Sequence, residues 1–119
     1  VLGTMPTMTS PAFKNSMKKF GVEVLNAPTE VLKVKVVAVI EALCQSQTEG
    51  SSVAIDKIVR ECASGEQLTK TVICLGCTEL PLAFTKFTGD AEFEHRGVTY
   101  LNAAIVHTTS AFEACITST

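Results

Sequence analysis

Short apolar strand patterns alternate with helical stretches along most of this 119-residue chain, and that alternation restricts the fold more than any other feature. Four strand patterns are legible: Val1–Gly3, Val22-Glu23-Val24-Leu25, Val72–Leu75 and Val98–Leu101. Between them lie helical patterns. Ala12 to Phe20 spaces Phe13, Met17 and Phe20 at helical intervals, with Ser10 as cap, Pro11 at the first position and Gly21 as stop. Thr29 and Glu30 open a long helix through about Cys44. Its six Val or Ile residues from Val31 to Ile40 lower its helix propensity, but no breaker interrupts it. Val53 to Ala63 returns to helical period. A short helix is expected from about Glu79 to Phe84 and a last helix from Ala103 to Cys115, with loops over Thr4–Thr9 and Thr88–Arg96. Strands separated by helices imply an α/β fold, here a single parallel four-stranded sheet with helices on both faces.

The length suits one domain, and 46% hydrophobic against 18% charged residues supplies ample core. The net charge is −2, and the basic residues cluster only at Lys18-Lys19 and Lys33/Lys35, so no nucleic-acid surface is indicated. No apolar run reaches the roughly 20 residues that span a bilayer, and no basic leader precedes the first apolar residues. The chain opens at Val1, already in a strand pattern, and reads as a piece of a longer protein. Five cysteines, an odd number mostly in apolar periodic segments, fit reduced thiols in a cytoplasmic protein better than a disulfide framework.

The strongest candidate for chemistry is Cys77. The strand pattern Val72–Leu75 runs into Gly76, then Cys77, Thr78 and Glu79 at an expected helix start. Backbone N–H groups and a helix dipole there favour a thiolate, suited to act as base or nucleophile. Cys74 forms a Cys-x-x-Cys spacing with Cys77. It lies inside the strand, however, where thioredoxin-type pairs have both cysteines after it, and a zinc site needs further Cys or His pairs. Ligands of parallel sheets bind beyond the carboxyl ends of the strands, which brings Thr4 and Thr7, Cys77 to Glu79, and Asn102 into one neighbourhood. Thr4 and Thr7 are suited to a carboxylate. Glu79 is suited to a substrate ammonium or to the helix dipole. His107 stands near the start of the last helix.

Gly76-Cys77-Thr78-Glu79-Leu80-Pro81-Leu82 resembles the second cysteine motif of the aspartate/glutamate racemase superfamily, on the aspartate side, because glutamate racemases usually carry His where Glu79 stands. Gly3-Thr4-Met5-Pro6-Thr7 resembles the Thr-x-x-Thr loop of its second domain, and the helix after Pro28-Thr29-Glu30 is similar. The resemblance implies one half of a two-domain, cofactor-independent amino-acid racemase for aspartate or a related acidic amino acid. Cys77 would be one of two acid/base cysteines, Thr78, Thr4 and Thr7 would bind the substrate carboxylate, and Glu79 would line the site. It implies no metal, and as partners a small acidic amino acid, a second α/β domain bearing the other cysteine, and a homodimeric assembly. The chain departs from the pattern in three places. It has no Pro-Cys-Asn-Thr motif, it has Asn102 where Asp is usual, and it has no base in Glu49–Ser52. Two other readings stay open: a non-catalytic ligand-binding or regulatory domain, and a related decarboxylase or isomerase.

Overall fold

In the computed structural model, which describes residues 1–24, 29–63 and 65–117, the chain is an α/β domain built on a three-stranded mixed sheet. The helices are α1 (Met5–Thr9), α2 (Ala12–Lys18), α3 (Glu30–Cys44), α4 (Ser51–Cys62), α5 (Glu66–Thr69) and α6 (Ala103–Thr117). The strands are β1 (Val72–Leu75), β2 (Glu92–His95) and β3 (Val98–Asn102), in the spatial order β1-β3-β2. No helix among the described residues is long and apolar enough to cross a membrane.

The four-stranded parallel sheet expected from the sequence is therefore corrected. Only β1 and β3 are parallel, with Leu75 opposite Asn102, whereas β2 pairs antiparallel to β3 with His95 opposite Val98. The cause lies in Arg96 and Gly97, whose φ values of 53° and 78° make a two-residue hairpin connection. Glu92, Phe93 and Glu94 then alternate out, in, out, and the stretch expected as a polar loop becomes an edge strand. At the other edge, Val1–Gly3 supplies a single parallel bridge, Leu2 to Leu75, instead of a full strand. The Leu2 N–H donates to the Cys74 carbonyl at 2.9 Å, and the Gly76 N–H donates to the Leu2 carbonyl at 2.7 Å. Val22–Val24 lies in no strand, and Leu25, the end of that expected strand, lies outside the described residues.

The long helices follow the sequence closely. Thr29 caps α3 by accepting the Leu32 N–H at 3.3 Å, and Leu32, Val36, Ile40 and Leu43 turn inward. Burial of that stripe outweighs the poor propensity of its β-branched residues. α4 buries Ile55, Ile58 and Val59. Val98 and Tyr100 lie fully buried on one face of β3, where Phe84, Phe93 and Tyr100 pack ring to ring with centroids 4.8–5.4 Å apart. The expected loop over Thr4–Thr9 is instead the short helix α1, because Pro6 falls in the first turn, where its missing N–H costs nothing.

Candidate functional site

Leu75 and Asn102 end neighbouring parallel strands in register, and Leu2 runs alongside them, so three chain segments leave the sheet at one end. Gly76 allows this convergence. A Cβ there would stand 3.1 Å from Val1 Cγ2, 3.3 Å from the Leu2 carbonyl oxygen and 3.3 Å from Thr7 Cγ2. The backbone leading into Cys77 thus lies directly against the segment bearing Thr4 and Thr7. The Thr4 and Thr7 hydroxyls share a hydrogen bond of 3.1 Å, with Thr4 at the N-cap position of α1 and Thr7 inside it.

Cys77 is buried, 9% exposed. Its thiol donates to Glu79 Oε2 at 2.8 Å, and the Thr78 hydroxyl donates to the same oxygen at 2.9 Å. One carboxylate oxygen therefore gathers two protons from its own tripeptide. These donors hold Glu79 below its ordinary range, while burial, the hydrogen bond to Glu79 and its negative charge raise the Cys77 thiol. Backbone hydrogen bonds pull the other way and are outweighed. This corrects the expected thiolate. The helix after the motif is only a four-residue 3-10 turn, Leu80–Ala83, so it has little dipole to offer, and the carboxylate two residues on stabilises the protonated sulfur instead.

Asn102 is buried beside this cluster, but its side chain is committed. Its Oδ1 accepts the Ile105 N–H at 3.3 Å at the start of α6. Cys74 and His107 face elsewhere, both lining a separate groove between β1, α2 and α6. Cys74 and Cys77 consequently do not act as a pair, and among the described residues no three His, Cys, Asp or Glu side chains are grouped to hold a metal ion. Lys33, which is not among the residues expected at the site, is the only buried Lys or Arg among the described residues. It donates to Glu30 at 3.2 Å, and its helix packs against both α1 and the Leu80–Ala83 turn. The signal was available in the stripe spacing of Leu32, Val36 and Ile40, which places position 33 next to the inward face. No protein-family description, curated protein or solved structure matches the chain.

Proposed function

We propose that this chain is an acid/base domain of a cofactor-independent racemase acting on aspartate or a related acidic amino acid. The observation that supports the reading most is the Cys77 thiol donating to Glu79 Oε2 at 2.8 Å where the parallel strand β1 ends. Inverting a stereocentre through a weakly acidic Cα–H requires a base on one face and an acid on the other. Cys77 rests as the acid. It returns a proton to the carbanion, and to serve as base it first loses its proton to solvent against the adjoining Glu79 charge, which holds the thiol in place. Thr4, Thr7 and Thr78 offer hydroxyls to the substrate α-carboxylate beside it. The base for the opposite face comes from a second α/β domain, so this chain by itself exchanges the Cα proton without inverting the centre.

Two observations favour a second reading, a ligand-binding domain of the same fold: the raised Cys77 thiol and the use of Asn102 as a helix cap. Incubating residues 1–119 with L-aspartate in D2O separates the two. The racemase reading expects deuterium at Cα with configuration retained, abolished by Cys77→Ser. Binding of aspartate with no exchange above the Cys77→Ser background supports the binding domain, and D/L interconversion by the chain alone contradicts the need for a second domain.

A further inference from the structure

At one edge of the sheet β1 is flanked by the Leu2 bridge, but at the other β2 pairs only with β3. The hairpin register decides which backbone groups of β2 face outward. A two-residue connection closes on a pair that exchanges both of its hydrogen bonds, here His95 with Val98, and such pairs recur at every second residue. Phe93 with Tyr100 is the next of them, and the Asn102 N–H donating to the Ala91 carbonyl at 2.7 Å continues the series. The N–H and C=O groups of Glu92 and Glu94 therefore point away from β3, and no backbone partner meets them among the described residues. Both side chains are exposed. Asp90, Glu92 and Glu94 occupy every second position with no base between them, and among the described residues no ion pair engages them.

We propose that this edge binds an extended basic peptide by strand addition, with Lys or Arg at alternate positions opposite Glu92 and Glu94. The outward N–H and C=O groups of those two residues supply the pairing, and opposite charges facing each other across strands stabilise it. A residue between the two bases falls on the other face of the sheet. There the half-buried Phe87 ring stacks on Phe93, with centroids 4.9 Å apart and planes 2° from parallel, so an apolar side chain suits that position. The carboxylates also select the partner. Charges on an edge strand ordinarily discourage pairing. A second copy of β2 would set Glu against Glu, and an apolar strand would take water from both carboxylates and return no partner. A basic strand is the class of partner for which these charges attract. The proposal stands independently of the chemistry at Cys77.

Amide-resolved NMR and hydrogen exchange on the 119-residue chain test it, with a peptide of about six residues alternating Lys and Val as the probe, a length typical of strands. The expected result is slowed exchange at the Glu92 and Glu94 amides, shifts centred on β2, and half-saturation below about 1 mM. Glu92→Gln combined with Glu94→Gln is expected to weaken binding about 2- to 30-fold, the worth of two opposite-charge cross-strand pairs. Both positions are exposed, so the double variant keeps the fold. The same peptide N-methylated at the residues whose N–H groups face β2 retains its charge but cannot pair, and it is expected not to bind. Glu92 and Glu94 amides left unprotected at about 1 mM peptide, or equal binding by the N-methylated peptide or by a peptide alternating Glu and Val, overturns the proposal.

Discussion

Gly76→Ala is the substitution that most directly probes how the Cys77 loop is positioned. Gly76 does not occupy the left-handed region, so alanine is conformationally acceptable, and its lower unfolded-state entropy alone would stabilise the fold by about 0.4–1 kcal/mol. The added methyl, however, would lie 3.1 Å from Val1 Cγ2 and 3.3 Å from both the Leu2 carbonyl oxygen and Thr7 Cγ2. The carbonyl belongs to the backbone and already accepts the Gly76 N–H at 2.7 Å. It can retreat only by stretching that bond. Overpacking of this kind costs about 1–3 kcal/mol, and a weakened hydrogen bond adds to it. The clash wins, leaving a net loss of about 1–2 kcal/mol. For a chain of this size that corresponds to a fall in Tm of roughly 4–10 °C by calorimetry. Hydrogen exchange at the Gly76 amide is expected to speed up as well. Because Thr7 Cγ2 is one of the three contacts, Gly76→Ala combined with Thr7→Ser should lose less than the two changes summed, as neighbouring sites do. A Gly76→Ala protein as stable as the parent, with its Gly76-position amide equally protected, would refute the close approach.

Three further outcomes follow from particular buried groups. The Tyr100 hydroxyl is buried without a hydrogen-bond partner among the described residues, so Tyr100→Phe should leave stability within about 1 kcal/mol of the parent or raise it, whereas Tyr100→Ala should cost about 3–5 kcal/mol in urea titrations. Burial and the nearby Asp56 charge push the Tyr100 phenol up to about 12 from 10.0. The unfolded chain then ionises first, so the stabilisation from the neutral phenol is complete below pH 10 and is lost as pH rises towards 12; Tyr100→Phe should flatten that part of the stability profile. Lys33→Met, replacing a buried ammonium whose partner Glu30 is 84% exposed, should leave stability within about 1 kcal/mol or raise it in urea titrations.

Much of this fold was legible in the residues. α3, α4, β1 and β3 stand close to their expected places because each has a long stripe or a sharp stop: Thr29 at one end of α3, Gly50 before α4, Gly76 after β1. The sheet was misread for a physical reason. Arg96-Gly97 makes a hairpin through backbone dihedrals that Arg seldom adopts, so Glu92–His95, half charged, looked like loop. The first strand pattern was real but short: among the described residues it makes the single bridge of Leu2 to Leu75. At the site, the junction of β1 with Cys77, the adjoining Thr7 and the position of Asn102 could all be anticipated from strand ends. The protonation of Cys77 could not. It depends on whether Glu79 turns its carboxylate outward or back onto the sulfur, and on how short the following turn is, and both are set by packing beyond the motif.

Glu79 holds the Cys77 proton, and the pH dependence of Cys77 alkylation, followed by mass spectrometry of the modified peptide, reports this directly. The expected profile places the thiol above its ordinary value in the parent chain and lower in Glu79→Gln, because the carboxylate charge that disfavours the thiolate is gone. A Cys77 that titrates at or below the ordinary thiol value, or one that Glu79→Gln leaves unmoved, contradicts it.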